Sequence, residues 1–510
     1  MTAEVSEQSP AAEAHTTTGR IQGRWENGLA VFRGIPFAAP PVGEARFAAP
    51  QRALRWDGVR EAFAFGTCAP QDYAVFRDQG GPLPPQSTGA DWLTLNVWTP
   101  APDRAALRPV MVWIHGGAYK LGSSNDSAYD PQQIVREGEL VVVSCNYRLG
   151  VEGFAAIDGA PANRGLLDQV AALEWVRENI AAFGGDPDQV TVFGESAGAG
   201  SVAALLAMPS AAGLFRRAVA QSFGGPFLSP ELATDVATII AARRGLRPTA
   251  ADLSTVEPVD LAMAGEEATV GQRERVDRWG QLADHPSLFG PVVDGDVLPT
   301  TPWQALAAGA GRGIELIAGH TRDEYRLFLP PRPGAIDAQE VSRAFAVHGP
   351  VPDAEAAYRA AFPNASAEQL WVLVRSDWLF RMPSLRLAES QALGGGQAYL
   401  YELTWPAPSA ATPFGACHGL DLPLLFGDFT TGFGQMLGTP TPAEALELSA
   451  RFRTAWTVFA ATGDPGWPAF DPEHRLTQVF GAPPTVAAYP EENARRLWQD
   501  YEFRALPLRA

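Results

Sequence analysis

The stretch from Val190 to Met208 limits the possible folds of this chain more than any other. A run of β-branched and aromatic residues, Val190-Thr191-Val192-Phe193, breaks into Gly194-Glu195-Ser196-Ala197-Gly198 and continues as small residues to Met208. The first part favours an extended strand and the last a helix, so Ser196 is predicted at a sharp strand-to-helix turn. Gly194 and Gly198 flank it because a turn this tight leaves no room for a Cβ on either side. A serine pushed out at a helix N-terminus, whose dipole favours developing negative charge, suits a nucleophile. The alternative is an ordinary β-α connection with Ser196 as its N-cap.

Other short apolar runs, Val110 to Ile114, Leu140 to Cys145 and Ala218 to Gln221, are continuous and read as strands buried on both faces. Ile314 to Ala318 and Ala398 to Leu403 add two more. Between them, Asn163 to Phe183 places Leu166, Val170, Leu173, Val176 and Ile180 at steps of three and four before Gly184-Gly185, which predicts an amphipathic helix. Strands alternating with helices predict an α/β protein with a central, mostly parallel sheet. One domain is expected over 19–510, with helical insertions near 225–285 and 325–395, after a mobile tail at 1–18. The Pro-rich stretches at 82–86 and 330–334 read as loops.

Composition narrows the function. A net charge of −18 with no basic block argues against a nucleic-acid or anionic-membrane partner. No run of 18 apolar residues predicts membrane insertion. Cys68, Cys145 and Cys417 are too few for a disulfide framework, and residues 1–19 lack a secretory apolar run, so the expected setting is the cytoplasm. There is no His-Glu-x-x-His, no paired-cysteine motif and no phosphate-cradling loop, so neither metal nor cofactor is expected.

An acyl-transfer serine needs oxyanion donors, and Val112 to Ser124 supplies Gly116-Gly117 directly after a predicted strand. Their amides, with that of Ala197, are the candidates. A base must follow in the chain; of seven histidines, His418 lies in a Gly-flanked loop after a strand, with His348 and His474 as competitors. For the acid, Asp323 and Glu324 share one loop beyond a strand, and spacing does not choose between them.

Together the stretches "GIPFAAPPVGEARFAAP", "VWIHGGAY", "NYRLG", "VTVFGESAGAGSV", "PVVDGDVLP", "GHTRDEYRLF" and "CHGLDLPLLFG" resemble the type-B carboxylesterases, from about Gly23 to Pro468. The resemblance implies an α/β-hydrolase fold, a Ser196–His418–Glu324 triad and an oxyanion hole at Gly116, Gly117 and Ala197. It also implies a structural ion pair between Arg148 and Asp168.

Departures from the family pattern carry expectations of their own. Ala90, Asp91 and Trp92 stand where the family usually has Glu-Asp-Cys, so no disulfide tethers Cys68, Arg46 loses its usual glutamate, and the rim loop 68–92 is expected to be less restrained. No tryptophan occurs in 70–91, where cholinesterases stack choline, so choline esters are not expected substrates. Tyr119, Phe223, His285, Ser287 and Tyr325 are expected to line the substrate pocket. The function this implies is a cofactor-independent serine carboxylesterase of small to medium neutral esters, working through an acyl-enzyme as a monomer or small homo-oligomer. A carbamate or amide hydrolase with the same triad is the near alternative, and a non-catalytic binding protein the remote one.

Overall fold

The computed structural model describes residues 11–72, 89–330, 334, 336–408, 414–438 and 441–509. The apolar runs become strands of one sheet, because each is buried from both sides. In chain order these are β1 (Ala12–His15), β2 (Arg20–Glu26), β3 (Leu29–Pro36), β4 (Val59–Glu61), β5 (Thr94–Thr99), β6 (Arg108–Ile114), β7 (Val141–Cys145), β8 (Gly185–Glu195), β9 (Arg217–Gln221), β10 (Glu315–Thr321), β11 (Gln397–Leu403), β12 (Leu476–Phe480) and β13 (Thr485–Ala488). Among the described residues the order is β1-β2-β3-β5-β7-β6-β8-β9-β10-β11-β12-β13, with β4 against β2. From β7 through β12 every neighbouring pair is parallel. Antiparallel pairs are confined to the two flanks.

Alternation along a strand sends successive side chains to opposite faces. Val110, Val112, Ile114, Val190 and Val192 accordingly join one apolar cluster, while Met111, Trp113 and Phe193 join another. Helices Arg164–Asn179, Ala197–Ala207 and Met382–Leu393 contribute to the first cluster, and Asp421–Phe426 and Ala443–Thr462 to the second. Two covered faces explain why these strands read as continuous apolar runs.

The helix expected over 163–183 runs from Arg164 to Asn179, tightens to a 3-10 turn at Ile180–Phe183 and stops at Gly184, whose φ of +83° ends helices readily. The stretch 225–285 holds the helices Pro230–Ala242 and Pro258–Ala268, and 325–395 holds Ala338–His348, Ala354–Ala361 and Ala367–Ser376. The tail expected up to residue 18 is corrected from Ala12 onward. Ala12 and Ala14 are buried as β1 pairs with β2, because their backbone groups complete the edge of the sheet. Residues 1–10 lie outside the described residues.

Arg148 and Asp168 form the implied ion pair with no solvent exposure, Nη2 to Oδ1 at 2.7 Å and Nε to Oδ2 at 2.8 Å. Arg46 is not left without a carboxylate: Glu152, from a different segment, takes it at 2.6 Å. Of the rim loop, Gln71 is tied to both backbone groups of Gly122 at 3.0 Å, and Cys68 Sγ lies 3.2 Å from Ser123 Oγ. Residues 73–88 of that loop, which include the Pro-rich stretch at 82–86, and most of the stretch at 330–334 lie outside the described residues.

Candidate active site

β8 ends at Glu195 and the helix Ala197–Ala207 begins at once, leaving Ser196 to make the turn at φ 57°, ψ −122°. A non-glycine residue there stores on the order of 1–3 kcal/mol of strain. The turn is over-determined: Ser196 N donates to Gln221 O, and Ser196 O accepts from Gly200 N, both at 2.9 Å. A Cβ on Gly198 would run into Ile114 O, and one on Gly194 would come within 2.6–2.7 Å of the Gly198 carbonyl. The Ser196 side chain makes no capping hydrogen bond to the helix, so it is not spent as an N-cap.

β6, next to β8 in the sheet, delivers the Gly-Gly loop alongside. Gly117, Ala118 and Tyr119 take φ of +108°, +55° and +59° in succession, folding the chain back sharply. A Cβ on Gly116 would lie 2.9 Å from Glu195 O and 3.3 Å from Ser196 Cβ, so this backbone touches the turn directly. His115 anchors the loop from below, stacked on Tyr147 at 4.5 Å with Nδ1 at 2.8 Å from Gly116 O. Burial lowers its pKa to about 4, which keeps it neutral. Among the described residues, no acceptor sits on the N–H groups of Gly116, Gly117 or Ala197.

β10 and the segment after β11 supply the acid and the imidazole. Glu324 Oε2 lies 2.6 Å from His418 Nδ1, and Glu324 Oε1 accepts from Thr321 N at 2.8 Å. Burial would raise the Glu324 carboxyl, but His418 and these hydrogen bonds outweigh it and hold it below its usual range. Asp323 does something else: its Oδ2 accepts from Ala416 N at 3.0 Å and its own N–H donates to Ala416 O at 2.8 Å, tethering the loop that carries His418. His348 and His474 are elsewhere, paired with Asp284 and Asp471.

Sequence reasoning missed two carboxylates. Glu195 Oε1 lies 3.2 Å from His418 Nε2, and Asp421 is buried nearby, accepting from Gln221 Nε2 at 2.9 Å and Tyr401 OH at 3.0 Å. Burial pushes Glu195 up to about 8, with His418 pulling down and Asp421 and Glu324 adding to the rise. Burial alone would lower His418, but Glu195 and Glu324 dominate and lift it to about 9. The signals were adjacency to Ser196 and the one-turn spacing from His418. Two aromatic neighbours of the imidazole, Phe380 at 4.3 Å and Phe328 at 5.6 Å, were missed as well.

Of the five expected pocket residues, four are buried in core contacts. Tyr119 packs tilted against Phe154 with ring centres 4.6 Å apart, Phe223 against Trp303 at 5.4 Å, and Tyr325 against Phe328 at 5.0 Å, while Ser287 Oγ accepts from Phe289 N at 3.0 Å. His285 lines a cavity of ≈ 480 Å³ together with Lys120, Gln272 and Arg273, to which Ser196, Glu324 and His418 do not contribute. Among the described residues no group of His, Cys, Asp or Glu is arranged to hold a metal, and no helix is long and apolar enough to cross a membrane. A hydroxyl at a strained turn, an imidazole backed by a carboxylate and unclaimed amides beside them are the parts that acyl transfer needs.

The family model described as "Carboxylesterase family" matches residues 10–498. The para-nitrobenzyl esterase of Bacillus subtilis (strain 168) is 37% identical over 491 residues, covering 94% of this chain and 97% of its own. The phenmedipham hydrolase of Pseudarthrobacter oxydans is 34% identical over 493 residues, covering 92% and 94%. A solved PNB esterase superposes with a TM-score of 0.84 at 36% identity, over 96% of this chain and 99% of that one. The fold is that of the α/β-hydrolases.

Proposed function

The chain belongs to the carboxylesterase family and is a carboxylic ester hydrolase; from that premise we propose that it acts through Ser196, His418 and Glu324 by way of an acyl-enzyme. Ser196 Oγ attacks the ester carbonyl as His418 Nε2 takes its proton, and Glu324 steadies the imidazolium from Nδ1. The amides of Gly116, Gly117 and Ala197 receive the oxyanion. His418 then protonates the departing alcohol, and water repeats the sequence on the acyl-enzyme.

The observation that carries this reading is the buried 2.6 Å contact between Glu324 Oε2 and His418 Nδ1, with His418 Nε2 3.2 Å from Glu195, the residue before Ser196. Ser196→Ala is the test, with p-nitrophenyl butyrate as substrate. kcat is expected to fall by about 10³-fold or more with the fold intact. Near-normal turnover would sink the assignment.

The substrates we propose are small to medium neutral esters. A carbamate or amide hydrolase is the second reading, since the relatives are named for different compounds and leaving-group preference is set by the pocket, not the triad. Matched aryl ester, carbamate and anilide substrates compared by kcat/KM decide between them. The sparse cysteines and the net charge of −18 support an enzyme of the cytoplasm, with no nucleic-acid partner.

A further inference from the structure

Tyr325 directly follows Glu324 and heads into a buried polar cluster. Its hydroxyl accepts from Arg375 Nη1 at 3.0 Å, and its N–H donates to Ser376 Oγ at 3.0 Å. The Arg375 guanidinium lies 4.3 Å from the Trp371 ring centre and 5.1 Å from that of Tyr325, and its Nη2 pairs with Asp284 Oδ2. Asp284 also faces His348 Nε2 at 3.1 Å and Arg273 Nε at 3.0 Å, and Arg273 in turn faces Glu340 at 3.6 Å. Asp284, Tyr325, His348, Arg375 and Ser376 are all buried.

Four separated segments meet here: Gly280–Asp284, Glu324–Phe328, Ala338–His348 and Ala367–Ser376. A buried Arg–Asp pair gains little stability over an apolar core of the same volume, because both charges give up their hydration. What the cluster does have is a set of directed contacts and a location. Tyr325 and Glu324 open the same 3-10 segment, so fixing one fixes the backbone of the other. The helix ending at Ser376 widens into a π turn, Asp377–Arg381, a distortion frequent at functional sites. From that turn Phe380 lies against the His418 ring at 4.3 Å. One stretch of chain therefore braces the acid through Arg375 and Ser376, and the imidazole through Phe380.

We propose that Asp284, Arg375 and Tyr325 are positioning residues, a clamp that holds the Glu324 carboxylate within reach of His418. The clamp rests on the triad reading above. It touches the reaction only through Glu324, so its loss changes how well the imidazole is oriented and leaves substrate binding alone.

The experiment measures kcat, KM and Tm with p-nitrophenyl butyrate for Tyr325→Phe, Arg375→Lys and Glu324→Gln, and for Tyr325→Phe combined with Glu324→Gln. Tyr325→Phe keeps the ring against Phe328 and Trp371 and removes only the hydroxyl, so it stays informative if Arg375→Lys fails to fold. Expected is a loss of about tenfold in kcat with KM little changed, since small misplacements of catalytic groups are costly. In the Glu324→Gln background the same substitution is expected to change kcat by less than about twofold, because its effect runs through Glu324, whereas independent sites would add and keep the full loss. A Tyr325→Phe that lowers Tm but leaves kcat intact, or that costs as much without Glu324, overturns the clamp. A Glu324→Gln with wild-type kcat overturns the triad reading and the clamp with it, and the two failures are told apart by that single variant.

Discussion

Glu195 Oε1 lies 3.2 Å from His418 Nε2, while Glu324 Oε2 holds Nδ1 from the other side at 2.6 Å. An imidazole between two carboxylates clings to its proton, and this one is lifted to about 9. Proton abstraction from Ser196 needs the neutral ring, so kcat/KM is expected to rise with pH through that value. In Glu195→Gln one negative charge is removed, His418 binds its proton less tightly, and the rising limb moves to lower pH. A pH–rate profile of both proteins checks this, and coincident midpoints would contradict it.

The Ser196 turn depends on the glycines around it. Gly198→Ala drives a Cβ into Ile114 O, whereas a Cβ on Gly116 meets Glu195 O at 2.9 Å and Ser196 Cβ at 3.3 Å. Gly198→Ala is expected to cost about 10²-fold or more in kcat/KM by displacing the nucleophile, and Gly116→Ala less. Equal activity in Gly198→Ala and the parent would show that the turn is not sterically locked.

Arg148 and Asp168 are wholly buried and paired. Asp168→Asn leaves the arginine without its counter-charge, and the expected loss of unfolding free energy is about 3–5 kcal/mol. Replacing both partners with apolar residues of similar size is expected to restore most of it. Urea denaturation of the single and double variants decides, and a single variant as stable as the parent would refute the prediction.

Lys120 is the only lysine in the sequence, every other Lys/Arg position being arginine. Its Nζ reaches Glu266 Oε2 at 2.9 Å and so ties the Gly116–Lys120 loop to the helix Pro258–Ala268. Lys120→Met is expected to lower kcat about three- to tenfold by loosening the donor loop, and Lys120→Arg to retain most of it. Unchanged kcat in Lys120→Met would show that the tether does not reach the donors.

Local chemistry made much of the site legible. The Gly194-to-Gly198 turn, the Gly116-Gly117 loop and the strands that carry them could be read because each depends on neighbours within a few residues. The choice between Asp323 and Glu324 could not. Both acids sit on one loop; the family resemblance implies Glu324, and the docking of the segment carrying Ala416 and His418 puts Asp323 on the backbone and Glu324 on the imidazole. Nor are the partners of Tyr325 legible locally: Arg375 and Trp371 lie some fifty residues away.

By itself the sequence determined the parallel sheet, its two buried faces and the sharp turn at Ser196, because hydrophobic periodicity and steric crowding act over short spans of chain. Tertiary structure alone decided that Glu195 and Asp421 join Glu324 around His418. Glu195, Glu324 and Asp421 come from three different elements, and their mutual repulsion and shared burial exist only once those elements are brought together. Electrostatics of that kind depends on distance through space, which no spacing along a chain records.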